Sequence, residues 1–201
     1  MQNALYAFRM AGNLVRQVSD ARVLAALTHP LRRRLLDMLK VNGPSTVGLL
    51  AERSGEAVGN VSHHVGVLAK ALLVEQVPEL ARDRRERWWR LTSTEVRWAR
   101  ADFEASPAAE AVADAAGSLM LDRQMECVRT WLGRRTNYPQ EWRDGCSVST
   151  EAWLRLTPSE AREFGAQLVA LFETWSARPD PDDGQVREPV LVFGHSVPAT
   201  P

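Results

Sequence analysis

Between Arg22 and Thr92 the chain alternates short amphipathic segments with residues that start and end helices, and this order limits the folds it can adopt. Pro30 fits the first turn of a helix, whereas Gly43 and Gly55 are typical of the residues that follow a helix or form a tight turn. Apolar residues at helical spacing predict four short helices, the last over 58–72. The segment therefore predicts a small helical domain whose helices are too short to be stable unless they pack on one another.

Two β-like runs follow the fourth helix and are joined by an arginine-rich turn. The runs are VEQVPEL and RERWWRLT, and the turn over 80–87 carries Arg82, Arg84 and Arg85. A charge run is usually a solvated loop, but this one comes directly after a helical segment with a polar face. We therefore predict a two-stranded wing whose arginines contact phosphates, which positions a protein on DNA without reading its sequence.

The fourth predicted helix has two distinct faces when it is projected at about 100° per residue. One face is apolar and predicts contact with a core. The other is small, polar or basic, a pattern typical of a helix that reads base edges in the major groove, although a solvated surface helix fits it equally well when the wing is disregarded. The residues expected to contact DNA from this helix are Gly59, Asn60, Ser62, His63, His64 and Lys70.

The charge of the chain is unevenly distributed. The formal net charge is zero, yet residues 22–92 contain twelve Lys and Arg against seven Asp and Glu, and residues 93–201 contain eleven against seventeen. A basic excess confined to one small segment is typical of a module that meets phosphates. We divide the chain into an N-terminal helix at 1–21, a DNA-binding domain at 22–92, and a dimerisation or effector region at 93–201.

Several motifs in 22–92 resemble those of ArsR-type winged helix-turn-helix repressors. The segments are ALTHPLRRRLLDML, SGEAVGNVSHHVGVLAKALLVE and RERWWRLT, with VSHHVGVL the most specific part. The resemblance implies a homodimeric transcriptional regulator, expected to be a repressor, on a pseudo-palindromic operator. Carried over by position, it implies readout by Val58, Gly59, Asn60, Ser62 and His63. Leu72 departs from the family pattern, which usually has glycine there, and Gly66 stands where lysine or arginine is frequent.

No metal or cofactor site is expected. The predicted third helix contains neither cysteine nor histidine, residues 93–135 contain no histidine, and His63 and His64 are consecutive and point about 100° apart. No nucleophile–histidine–carboxylate set, paired-carboxylate pattern or phosphate-binding glycine loop is present, so we expect no enzyme. A winged helix that binds only proteins is the alternative function, and the wing arginines argue against it.

The second half predicts helices and a short strand–helix–strand tail, so the fold class is mainly α with a small β component (α+β). Residues 93–106 and 108–135 are helical in pattern, and VSTEAWLRL and EPVLVFGHSVP are strand-like. Thr157, Pro158 and Glu160 predict a helix start between those two runs.

The aromatic excess of the second half has two interpretations. Most such residues are expected to form core and dimer interface; otherwise they line a pocket for a small apolar or aromatic effector. The pocket residues would be Trp131, Trp142, Trp153, Phe164 and Trp175. The expected partners are therefore double-stranded DNA, a second copy of the chain and such an effector, but no membrane. The N-terminus lacks the basic lead and unbroken apolar run of a signal peptide, and the expected location is the cytoplasm.

Overall fold

The computed structural model of the chain describes residues 15–83, 85–104, 106–179 and 181–200. The chain forms two compact units. One comprises the described residues of Met1–Met120 and Pro179–Pro181, and the other those of Leu121–Arg178 and Asp182–Pro201.

Four short helices in the first unit lie where the sequence predicts, although the last of them ends at Lys70 rather than at residue 72. They are α1 (Ala21–Leu27), α2 (Pro30–Asn42), α3 (Val47–Ser54) and α4 (Val58–Lys70). The Thr46 side-chain oxygen accepts a hydrogen bond from the Leu49 backbone N–H and so caps α3. Gly43 and Gly55 follow α2 and α3 with φ of 72° and 71°, a left-handed conformation that glycine adopts without steric cost.

A three-stranded antiparallel sheet packs beside these helices. Its strands are β2 (Ser45–Thr46), β3 (Val74–Gln76) and β4 (Trp88–Leu91), in the order β2–β4–β3. Trp89 of β4 faces Ser45 on one side and Gln76 on the other. The hairpin of β3 and β4 confirms the predicted wing, although β3 ends earlier than predicted because Pro78 starts a short 3-10 turn.

The helices and the sheet share one hydrophobic core. Its most deeply buried side chains are leucines and valines of the four helices and of β3, each less than 2% exposed or at that limit. They are Leu24, Leu27, Leu35, Leu39, Leu50, Val61, Val65, Leu68 and Val74. The core therefore fixes one face of every helix, including α4, and leaves the opposite faces to solvent.

A second, two-stranded sheet corrects two predictions made from helical spacing. Strand β1 (Val15–Gln17) pairs in parallel with β5 (Glu95–Arg97), and the Val18 N–H donates to the Arg97 carbonyl at 2.8 Å. The expected N-terminal helix is thus wrong at 15–17, and its remainder lies outside the described residues. The helix expected over 93–106 is replaced by β5 and a 3-10 turn. Pairing between segments distant in sequence overrides weak local periodicity here.

The remaining helices are α5 (Pro107–Arg134), α6 (Gln140–Arg143) and α7 (Pro158–Ser176). The start of α7 is the predicted capping box: the Glu160 carboxylate accepts from the Thr157 N–H at 2.7 Å, and the Thr157 hydroxyl accepts from the Glu160 N–H at 3.3 Å. Beyond Ala116, no described hydrophobic side chain is fully buried.

The two strand-like runs around α7 form no strands in the described structure, which corrects the predicted strand–helix–strand tail. Their apolar residues are largely exposed: Val148 by 84%, Trp153 by 67% and Val192 by 63%. A strand needs a hydrogen-bonding neighbour as well as β-prone residues, and neither run has one among the described residues. In the part of the chain that the structure describes, no helix is both long and apolar enough to cross a membrane.

Candidate nucleic-acid interface

Helix α4 packs on the core with one face and leaves the opposite face exposed to solvent. Val61, Val65 and Leu68 are at most 1% exposed, and the helix packs against α2, α3 and β3. On the outer face Asn60 and His63 are exposed, as are Gly59, Ser62 and Lys70. Five of the six residues predicted to contact DNA from this helix thus lie on an accessible surface. Gly66 is half-buried, and a Cβ added there would meet no atom within 4 Å.

The first turn of α4 has no side-chain cap, because Ala57 stands at the capping position. Just before it, the exposed Glu56 accepts a hydrogen bond from the Asn60 side-chain amide at 2.9 Å. Glu56 was not among the residues predicted from the sequence. It precedes α4, so helical spacing does not pair it with Asn60, and the contact was found only in the folded structure.

His64 is buried, which corrects the expectation that it lies on the DNA-facing flank. It is 8% exposed, and its ring packs against that of His29 with 4.3 Å between centroids. The His29 ring nitrogen Nδ1 accepts from the Leu31 N–H and so caps α2. Burial, followed by the charge of Arg32, lowers the pKa of His29; burial, followed by His29 and Arg32, lowers that of His64. The pair therefore favours the neutral form.

The turn of the wing is organised by its own carboxylates. Asp83 accepts from the N–H groups of Arg85 and Glu86 at 2.7 and 3.0 Å, and Glu86 accepts from the Arg82 N–H at 2.8 Å. Arg82 and Arg85 are exposed, and no carboxylate among the described residues pairs with their guanidinium groups. Both can therefore meet phosphates. Arg84, also predicted to do so, lies outside the described residues.

Other arginines of the basic segment stabilise the fold. Arg32 donates to the carbonyls of Ala25 and Ala26 at the end of α1, at 3.0 and 2.6 Å. Arg34 donates to the Ser54 carbonyl at 2.9 Å. These guanidinium groups satisfy carbonyls at helix ends, where a positive charge is also favourable. Part of the basic excess of 22–92 is thus used inside the domain.

Arg16 connects β1 to the end of α4. Its guanidinium donates to the carbonyls of Ala71 and Leu72 at 3.1 and 2.6 Å. Leu72, which stands where ArsR-type sequences usually have glycine, has φ of 54° and is 66% exposed. The Thr92 hydroxyl also donates to its carbonyl, at 2.7 Å. The leucine is recognisable as unusual from the sequence, whereas its contact with Arg16 is not, since the two residues lie more than fifty positions apart.

The five residues predicted to line an effector pocket line neither of the two cavities described below, and that pocket stays a prediction. Trp153 and Trp175 are 67% and 63% exposed, and Trp131 packs edge-on against Tyr138 with 4.8 Å between ring centroids. Two cavities, of about 270 and 420 Å³, lie between α1 and α4 and beneath the wing, and none of the five lines either one. Across the described ranges, no three His, Cys, Asp or Glu side chains cluster as metal ligands do.

Comparison with known proteins identifies one domain. Residues 27–77 match a family described as a helix-turn-helix domain. One similar solved structure is the winged helix-turn-helix DNA-binding domain of Mb0332 from Mycobacterium bovis, which is described as homodimeric and as a possible ArsR-family regulator. Its sequence is 20% identical to this chain, and the TM-score is 0.32. The alignment covers 60% of this chain and 86% of that one. Lactococcus lactis ZitR is 19% identical, with a TM-score of 0.31 over 74% and 83%. No curated protein matches.

The match spans α2, α3, α4 and β3, which are the elements that place the outer face of α4 beside the wing. In a helix-turn-helix, the second helix of the motif lies in the major groove, and α4 holds that position here. The chain therefore carries a helix-turn-helix domain followed by a two-stranded wing.

Proposed function

We propose that this protein is a DNA-binding transcription regulator that acts as a homodimeric repressor on a pseudo-palindromic operator. The observation that carries the proposal is the division of α4 into two faces. Val61 and Leu68 are buried in the core, whereas Asn60, Ser62 and His63 are exposed on the opposite side. A helix about 10–12 Å across fits the major groove, which is about 12 Å wide.

The positions of the cations support this mode of docking. Lys70 at the end of α4 and Arg82 and Arg85 in the wing are exposed, whereas Arg32 and Arg34 are committed to backbone carbonyls. Three of the accessible cations of the domain therefore lie on α4 and on the wing that follows it. Such contacts would set the orientation of the domain, and the side chains of α4 would read the bases.

A stripe of apolar residues on α5 supports the homodimer. Leu121, Val128 and Leu132 are 43%, 37% and 59% exposed, and with the half-buried Met125 they are spaced by four, three and four residues. That spacing produces one continuous stripe, the pattern by which two helices pair along a seam. A dimer would cover this stripe and place two copies of α4 on a two-fold operator. The resemblance of 22–92 to ArsR-type repressors supports repression.

The test is a binding assay with the whole chain on DNA from upstream of its own gene, with salt varied. We expect tight binding to one upstream fragment and binding to random DNA that is weaker by about 10³-fold or more. Affinity for both should fall steeply as salt rises, because phosphate contacts release counterions.

Equal affinity for upstream and random DNA would contradict sequence-specific regulation. No binding even at low salt would favour the alternative, a winged helix that contacts only proteins. A specific complex with one copy of the chain per operator would contradict the homodimer alone.

A further inference from the structure

Glu56 restricts the orientation of the Asn60 side chain. The Asn60 Nδ2 atom donates to a carboxylate oxygen of Glu56 at 2.9 Å, and both side chains are exposed beside the first turn of α4. A carboxylate only accepts hydrogen bonds, so the amide must turn its NH₂ group toward it. A half-turn of the amide would instead bring two acceptor oxygens together.

This orientation leaves one particular pair of groups for a partner. Glu56 takes one of the two hydrogens on Nδ2, and the arrangement that suits a base edge is the one in which it takes the hydrogen pointing away from the amide oxygen. The other hydrogen and the oxygen Oδ1 lie side by side on the remaining edge of the amide. That edge carries one donor and one acceptor in a fixed order.

We propose that Glu56 is a positioning residue that orders the Asn60 amide to read an adenine in each half of the operator. This inference rests on the proposed function and names one base contact within it. Adenine presents in the major groove an acceptor, N7, next to a donor, its N6 amino group. Asn60 matches both when its N–H meets N7 and its oxygen meets the amino group.

The same order disfavours the other purine. Guanine presents two acceptors, N7 and O6, so the Asn60 oxygen would face O6 with no hydrogen between them. Without Glu56 both hydrogens on Nδ2 would be free, so the NH₂ group could donate to N7 and O6 of guanine together. The expected consequence of losing Glu56 is therefore weaker discrimination between adenine and guanine, rather than a uniform loss of affinity.

The experiment selects preferred sites from random DNA with the full chain, and then measures affinity for sites changed at single positions. Wild type should prefer adenine over guanine at one position of each half-site by about five-fold or more. Asn60→Ala should abolish this preference, and Glu56→Gln should reduce it, because a glutamine amide can donate as well as accept. Glu52→Gln, an equal charge change at an exposed position of α3, should leave the preference intact.

Each outcome has a distinct meaning. Wild type that selects no motif would overturn both this inference and the proposed function. A motif whose base preferences survive Asn60→Ala would overturn the inference alone. Preferences that survive Glu56→Gln would overturn the positioning role. A cytosine preference that depends on Glu56 would also overturn it, since the carboxylate would then be reading a base itself.

Discussion

Two adjacent histidines of α4 occupy opposite environments. His63 is exposed on the outer face, whereas His64 is 8% exposed and packs on His29. Successive helical residues point about 100° apart, so a helix lying on a core separates neighbours in this way. Adjacent residues of the sequence therefore have different roles, one in the proposed DNA contact and one in packing. The sequence pattern alone did not separate them, so both histidines were predicted to face DNA.

At the exposed positions we expect two different losses. His63→Ala should reduce the difference in binding free energy between operator and random DNA by about 1–3 kcal/mol if the imidazole reads a base. Arg85→Ala should instead weaken binding to all sequences alike and make the salt dependence shallower by about one unit, because one phosphate contact is lost. Affinity titrations at several salt concentrations measure both effects.

A control for these variants is Arg90→Ala, because Arg90 is already paired with Glu75 at 2.8 Å and makes no phosphate contact in the proposed complex. Its salt dependence should stay close to that of wild type. If His63→Ala and Arg85→Ala weakened every complex equally, the assignment of His63 to base readout would be wrong.

The contact between the half-buried His29 and the buried His64 predicts a loss of stability in acid. Both pKa values are lowered from 6.5 in the folded chain, so the unfolded chain binds more protons in the window between the folded and unfolded values. The stability that depends on this pair should be fully present above pH 6.5 and should be lost as the pH falls below that value. His64→Gln should reduce this slope, as measured by urea unfolding at pH 7.5 and at lower pH. An unchanged slope would contradict the assignment.

At the scale of elements, alanine and glycine should have opposite effects on stability at two positions. One position lies within α4 and the other in the turn after it. Gly66 lies within the helix, and an added Cβ would meet no atom within 4 Å. Gly66→Ala should therefore raise the free energy of unfolding by about 0.5–1 kcal/mol. Leu72 has φ of 54° and is largely exposed, so a side chain there is strained. Leu72→Gly should be more stable than Leu72→Ala by about 0.5–1 kcal/mol.

Chemical unfolding of the three variants and of wild type checks the expected order of stability at both positions. The Leu72→Ala variant serves as the control, because it removes the exposed side chain and keeps the Cβ that causes the strain. If Leu72→Gly were less stable than Leu72→Ala, the strain of the left-handed conformation would be smaller than the conformational entropy that glycine loses on folding.

Elements set by local chemistry were predictable, and those set by distant partners were not. The ends of α2 and α3, the capping box of α7 and the wing follow from Pro30, Gly43, Thr157 and the residues near them. Strands β1 and β5 depend on pairing across about eighty residues, so the local spacing of apolar residues predicted helices there instead of strands. In the candidate site, the outer face of α4 followed from helical periodicity. The burial of His64, the Glu56–Asn60 bond and the Arg16 contacts required the packed structure.

At the scale of the whole molecule, the second unit leaves more apolar surface exposed than the first. Leu154, Leu171 and Trp175 are 56%, 52% and 63% exposed, in addition to the stripe on α5. Large contiguous apolar surface is unusual on a monomer and is typical of an interface. The dimer proposed above would cover the stripe on α5, which is part of this exposed apolar surface.

We expect light scattering at micromolar concentration and moderate salt to give twice the 22.4 kDa mass of one chain. Leu132→Glu should raise the dimer dissociation constant by about ten-fold or more, since a buried leucine is worth about 1.5–3 kcal/mol and a carboxylate adds a desolvation cost. Arg129→Glu, which places the same carboxylate at an exposed polar position of α5, is the control and should have a much smaller effect.

Dimerisation and DNA binding should then be linked by mass action. If only the dimer spans the operator, Leu132→Glu should weaken operator binding most at low protein concentration, and high protein concentration should restore it. The salt dependence of the fully formed complex should be unchanged, because the variant removes no phosphate contact. A loss of operator affinity that persists at all protein concentrations would place Leu132 in the folding or docking of the domain. A wild-type chain that is monomeric yet binds its operator fully would contradict the dimer.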